Sequence, residues 1–390
     1  MELNKTEHFN VNWVNGMKIN KNHFIEAENA FTQSTQLVNS QHVNAFNYGL
    51  LPIKDAEQSF NIELYKDGQG SIKLQLNKCI AVTPGGYLIY ITNEIAELLK
   101  SKKSIIETDY RMNNNEDSCY IVLSVNPYMR IPIGDANPDE DPPRHPFVIP
   151  QYNLSIINSE DANDFEFGKY HITLGKISFD EFQATPFIDD AFIPPCSSIQ
   201  SHSDLIETYN HLEVFYSKIE NFAMNIIQKI YLKEQKNELA NMVLSISKGV
   251  LSYIGGMLSE FRLKDKHEPP IVLVTRAVSL ARVINNNLNV YNGIGKEELL
   301  NYLSNWCDVN QGTFENIIIN TVELKYQHTN ISESLNHISN FTNLIYTLFK
   351  KLNELEYIGK KEKIGVFVKE DVLIQEEEKP KRRFFGIKDF

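Results

Sequence analysis

The sequence predicts an α+β multidomain chain, an N-terminal antiparallel β-sandwich followed by an α-helical bundle. Three observations carry that expectation. Before Pro194, short alternating apolar segments are separated by proline, glycine and polar turns. After it, apolar residues recur every three or four positions over long stretches. Between the two lies "DDAFIPPCSSIQSHSDL", whose paired prolines can continue neither a helix nor a central strand. The expected division is 1–195 for the sandwich with an early helix, 196–358 for the bundle, and 359–390 for a short C-terminal segment and charged tail.

The early helix begins near Phe24. Ala27, Phe31 and Val38 share one stripe with it, and Asn22 is the expected N-cap. Strands are then expected at "NIELYK", "IKLQL", "CIAVTPGGYLIYIT", "CYIVLSV", "NLSII" and "HITLGKI". "TPGGY" joins two alternating runs as a hairpin turn, where glycine tolerates positive φ.

Ile193, Pro194 and Pro195 are read as a stiff hinge between the two halves. Ser201 or Ser203 is the expected cap of the next helix. Its apolar positions are Leu205, Tyr209, Leu212, Phe215, Ile219, Phe222, Ile226 and Ile230. From Leu212 to Ile226 the spacing alternates three and four, a heptad-type seam that suits a bundle or an axis shared by three chains. Burying each such side chain stabilises by roughly 1.5–3 kcal/mol. "ELANMVLSISKGVLSYIGGMLSEF" follows, with a weak point expected at Gly255-Gly256. Helices are also expected at "IVLVTRAVSLARVINNNL", "GKEELLNYLSNWC", "TFENIIINTVELKY" and "ISESLNHISNFTNLIYTLFKKLNEL". "KIGVFVKED" reads as one strand, and "EEEKPKRRFFGIKDF" reads either as a solvated charged tail or as a short linear motif that docks Phe384 and Phe385 on another protein.

Composition narrows the function. The chain is 42% hydrophobic and 11% aromatic, enough for packed domains. A net charge of -12 speaks against nucleic acid. No window reaches the roughly 18–20 apolar residues of a membrane helix, so direct insertion is not expected. No secretory signal is evident at the start, and the four cysteines are scattered without a CxxC pair, as in a cytoplasmic protein with reduced thiols.

Catalytic signatures are missing from the sequence. HExxH, GxSxG, a Walker A loop and GxGxxG are not found. "GIGKEE" lacks the first glycine of a phosphate loop and has Glu297 where Ser or Thr is needed. Asp135, Asn137 and Asp139 open like a calcium loop, but Glu140 replaces the turning glycine and Pro146 the bidentate glutamate. Asp189 and Asp190 are adjacent on an extended segment and point apart. His202 and His211 stand nine apart and form no zinc pair. No catalytic residue, metal ligand or cofactor is assigned, and a structural assembly protein is expected in place of an enzyme.

"VNWVNGMKINKNHF" (Val11 to Phe24) then takes on meaning. With Trp13, Gly16, Met17, His23 and Phe24 it resembles the start of TssK, the baseplate subunit of bacterial type VI secretion systems, which reads W-x-E-G-M-x-L-x-P-x-H-F. Asn15 replaces the usual acid, Ile19 stands for the aliphatic residue, and the proline is displaced. "NYGLLPI" is similar to the family's W-G-L segment, and "FIPPCSSIQSHSDL" to its joint between head and bundle. The resemblance implies a homotrimer with a head like the shoulder domain of phage receptor-binding proteins. It also implies attachment to the wedge proteins TssF and TssG through the N-terminal domain, with Trp13, Gly16, Met17, His23 and Phe24 as the candidate contacts. The other reading of Trp13, Met17 and Phe24 is that they pack the start of the sandwich against the first helix. The implied site is cytoplasmic, at a baseplate against the inner membrane, linked to a membrane-complex component. The Asn-, Lys- and Tyr-rich composition is similar to Bacteroidetes proteins. With few residues after Leu355, the family's C-terminal docking domain is expected to be reduced, and Phe384-Phe385 is a candidate replacement contact. A baseplate or receptor-binding-type component of another contractile particle is the alternative, with an enzyme of unrecognised site behind it.

Overall fold

The structure, a computed structural model, describes residues 6–52, 59–66, 71–99, 106–111, 118–158, 168–180 and 185–359. The chain divides into two compact units, Met1–Ser203 with His328–Asn330, and Asp204–Gln327 with Ile331–Phe390. The expected strand at "KIGVFVKED" and the Phe384-Phe385 motif lie outside the described residues.

The first unit opens with α1 (Lys21–Ser40). Among the described residues nine strands follow: β1 (Gly49–Leu50), β2 (Phe60–Lys66), β3 (Ser71–Val82), β4 (Leu88–Ile91), β5 (Glu107–Arg111), β6 (Ser118–Ile133), β7 (Phe147–Asn158), β8 (His171–Asp180) and β9 (Thr185–Ile188). A short helix, α2 (Asn93–Leu99), sits between β4 and β5. The strands form two antiparallel sheets, one of β1 to β5 centred on β3, the other in the order β7-β6-β8-β9. Their buried faces hold Ile72, Leu74, Leu76, Ile89, Ile121, Leu123, Leu154, Ile172 and Leu174.

β3 joins two segments that the sequence presents as separate strands. Its register against β2 shifts between Asn61 and Ile62, so Asn77 is an extra residue. Such a bulge reverses which residues face inward. Ile72, Leu74 and Leu76 are buried before it, and Cys79 and Ala81 after it. The expected "TPGGY" hairpin joins β3 to β4, with Gly86 at φ +79.

The segment Ile193-Pro194-Pro195 is buried in this unit. The Leu50 amide donates to the Pro195 carbonyl at 2.7 Å, and Ser197 N–H to the Leu50 carbonyl at 2.9 Å. A Cβ on Gly49 would lie 1.9 Å from the Pro195 oxygen, and its φ is +110, so both space and backbone demand glycine there.

The second unit is helical, with α3 (Ser203–Leu232), α4 (Glu238–Leu263), α5 (Ile271–Asn289), α6 (Lys296–Asn305), α7 (Gln311–Val322) and α8 (Ile331–Glu354). Of the seam residues, Leu205, Leu212, Phe215, Ile219 and Ile226 are buried in this chain's own core. Phe222 is half-exposed, and Ala223 takes the inward position. The heptad spacing is therefore used within a single bundle, and these side chains are not available as a trimer seam. Tyr209 stacks on Phe261 of α4 at 4.8 Å, and Lys229 Nζ donates to the Asn353 carbonyl at the end of α8. α4 is continuous through Gly255-Gly256, the pair expected to be its weak point. By length and apolar composition α4 also matches a membrane span, contrary to expectation. Its apolar residues Val243, Ile246, Val250, Ile254 and Phe261 are those that the bundle buries.

Candidate functional site: an exposed aromatic surface on the first helix

Local chemistry fixes the first helix. Met17 N–H bonds back to the Val14 carbonyl at 3.2 Å, closing a turn with Gly16 at φ +80. A side chain at Gly16 would meet nothing, so the glycine serves the backbone alone. The N-cap is Asn20, not the expected Asn22. Its side chain accepts from the backbone of Asn22 at 2.9 Å and of His23 at 3.4 Å. His23 Nδ1 accepts from the Asn20 amide at 3.2 Å, a capping box with histidine in the glutamate's place.

The apolar stripe of α1 faces solvent and a glutamine stripe faces inward. Phe31 is 73% exposed and Val38 63%, whereas Ala30, Gln33 and Gln36 are buried. The glutamines face inward because each finds partners. Gln33 Oε1 accepts from the amides of Glu7 at 3.1 Å and His8 at 2.8 Å. Gln36 Nε2 donates to the Gly85 carbonyl, and its Oε1 accepts from the Tyr170 hydroxyl, both at 3.0 Å. Buried amides so satisfied cost little, and they outcompete apolar side chains for this polar contact.

Trp13 is 51% exposed and Phe24 56%. Their rings are 6.2 Å apart, and Trp13 meets His23 edge-on at 6.1 Å. Met17 is half-buried, lining a cleft of about 530 Å³ with Glu7, His8, Phe9, His23 and Glu26. The structure thus brings together all five residues singled out near the N-terminus. Phe9, Phe31 and Val38 extend the same apolar exposure. The sequence carried that signal in the seven-residue spacing of Phe24, Phe31 and Val38, but it did not say which way the stripe faces. Glu28 on α1 is ion-paired with Arg130 of β6.

Groups that could do chemistry are placed elsewhere. Burial pushes the Cys79 thiol up to about 12, which removes thiolate at neutral pH. Asn137 Oδ1 accepts from the Asp139 amide, and Glu140 pairs with Arg144 at 2.7 Å, so that loop is folded on itself. Among the described residues, no cluster of three or more His, Cys, Asp or Glu side chains could hold a metal.

No family model matches the chain, and no curated protein matches it in sequence. Solved structures do. A crystal structure of TssK is 15% identical with a TM-score of 0.50, over 90% of this chain and 70% of that one. TssK from the type VI secretion system of EAEC, bound to a nanobody, is 13% identical with a TM-score of 0.44, over 82% of this chain and 98% of that one. A TssK-TssF-TssG baseplate subcomplex of the type VI secretion system gives 12% identity and a TM-score of 0.42, over 90% of this chain and all of the matched chain. The sheets, the helical unit and the first of these matches together show that this chain has a TssK-like fold.

Proposed function

We propose that the chain is a structural baseplate component of a type VI secretion system, not an enzyme. In this reading it is a homotrimeric cytoplasmic adaptor that joins the TssF-TssG wedge to a membrane-complex component. The observation that carries the reading is the TssK-like fold over 90% of the chain. The order of the three sequence motifs supports it, and so does the paired exposure of Trp13 and Phe24. Exposed apolar side chains that lie side by side mark interaction surfaces. Trp13 and Phe24 are the anchors, and Gly16, Met17 and His23 shape the turn and helix start that present them. Ile193, Pro194 and Pro195 form the stiff link out of the first unit. The tail with Phe384 and Phe385 is the candidate contact toward the membrane complex.

Co-purification with the cognate TssF-TssG pair tests the wedge contact. Trp13→Ala with Phe24→Ala is expected to keep the fold and to weaken capture, each anchor by about 2 kcal/mol or more. Undiminished capture by the double variant would overturn the assignment.

A further inference from the structure

α3 carries a second seam, on the face that the bundle leaves open. Leu212, Phe215, Ile219 and Ile226 fill the core of the helical unit. Two residues on from these, about 200° round the helix, stand Val214, Ser217, Asn221 and Gln228. With Asn210, Met224 and Tyr231 they form a line whose steps alternate four and three. All are exposed except Ser217, which is half-buried. Val214, Asn221 and Gln228 take the a positions of a heptad, and the other four take the d positions. The repeat is sustained over three heptads, about 32 Å of helix.

Charge is missing from this face. From Thr208 to Leu232 every exposed residue is asparagine, glutamine, valine, methionine, tyrosine or leucine. The other long helices differ. α4 exposes Lys248, Glu260 and Arg262, and α8 exposes Glu333 and Lys350. A solvated helix face carries charges, whereas the centre of an interface is depleted of them.

The residue types name the occupant. In parallel copies about one axis, each a or d side chain meets the same side chain of the next copy. Such a position has to suit itself. A charge would repel its own image, but an amide both donates and accepts, and so pairs with its own kind. Asn210, Asn221 and Gln228 are amides, Ser217 is a hydroxyl, and the remaining three are apolar or aromatic. Amides at a positions also hold the register. The flanks agree. Glu213 and Glu220 lie on one side of the line and Lys218 on the other. A parallel copy sets its Lys218 against Glu213, the g-to-e pairing that fixes orientation in a coil. Arg262 takes Oε1 of Glu213 at 2.9 Å, and Oε2 remains for the pairing. Lys218 is steadied at its flank by the Tyr346 ring of α8, whose centroid is 5.5 Å from the ammonium. An antiparallel copy brings like flanks together, acid against acid.

We propose that the solvent face of α3 from Asn210 to Tyr231 is where copies of this chain meet, as a parallel seam of identical helices about one axis. The proposal rests on the homotrimer reading above. It gives that trimer the surface that the buried residues from Leu205 to Ile226 do not supply.

The test is the mass of the full chain by light scattering at micromolar concentration, with circular dichroism as the check on folding. Val214→Glu with Met224→Glu changes two exposed side chains, so the helical signal should hold. It sets like charges together in two layers of the seam. The mass is expected to fall from about 135 kDa, three times the 44.9 kDa chain, to that of a single chain. If the wild-type chain is trimeric and this variant is too, the inference fails while the trimer reading stands. A monomeric wild-type chain ends both. A wild-type dimer that the variant splits keeps the seam and ends the trimer. Asn210→Cys reads the direction, and it decides the matter if the glutamate pair unsettles the fold. Parallel copies in register bring the new thiols within the roughly 4.4–6.8 Å Cα span of a disulfide, so oxidation should give a linked pair that the wild-type chain does not. Antiparallel copies centred on the seam hold them about 30 Å apart. An assembly in which no such link forms would overturn the parallel seam.

Discussion

His328 belongs to the first unit although it is distant in sequence from the rest of it. Its Nε2 lies 2.9 Å from the Tyr48 carbonyl, and the two rings meet edge-on at 4.7 Å. A carbonyl only accepts, so Nε2 is the donor. Burial lowers the pKa from 6.5 to about 4, the carbonyl contact opposing this. A depressed histidine pKa means that the unfolded chain takes up the proton first as pH falls. The stabilisation is complete above about pH 6.5, and it drains away as pH falls toward 4, by up to about 3 kcal/mol. Melting temperature followed from pH 7 to pH 4.5 should therefore fall in the wild-type chain. His328→Asn should start lower and vary less. A flat wild-type profile would sink the account. Nothing in the sequence around His328 marks it, because its partner is 280 positions away. The exposure of Trp13 agrees with its polar neighbours Asn12 and Asn15. The cap was misplaced by two residues, since Asn20 and Asn22 are chemically alike and only backbone geometry separates them.

The strands and helices were legible where the apolar period is long and unbroken, as in α3, α4 and α8. Two elements show the limit of periodicity, which gives spacing without direction. In β3 the bulge at Asn77 shifts the period by one, so one strand looks like two. In α1 the apolar stripe points to solvent and a glutamine stripe points in. Hydrophobic residues are inside on average, but a buried polar group with every partner in place overrides the average. Gln36 tests this. Gln36→Leu leaves the Gly85 carbonyl and the Tyr170 hydroxyl without that amide, so it should destabilise by about 1–3 kcal/mol despite being more apolar. Urea unfolding measures it, and a neutral or stabilised variant would show that the inward face of α1 is not held by these bonds. The heptad seam of α3 illustrates the converse limit. Its spacing announces a helix neighbour, and the structure supplies that neighbour from the same chain.

A trimeric adaptor needs a surface other than that seam. If the proposed assembly is right, light scattering should give about 135 kDa, three times the 44.9 kDa chain. A monomer at micromolar concentration would count against it. The broad plan, antiparallel sheets then helices, was readable from composition shifts and from the paired prolines. The membership of His328–Asn330 in the first unit was not, since no local pattern encodes a contact made across so many residues.

That membership has a consequence for the order of events on the ribosome. Domains tend to fold as they emerge, N-terminal first, at a synthesis rate of about 5–20 residues per second. The first unit has most of its chain by Ser203 but receives residues 328–330 only after another 125 residues (328 less 203) have been made. The wait is roughly 6–25 s at that rate. During it, Tyr48 has no histidine to cover it, and the first unit must persist without its last segment. The nascent head is thus finished by a piece delivered after α3 to α7 have been translated, and truncation anywhere in those helices withholds it.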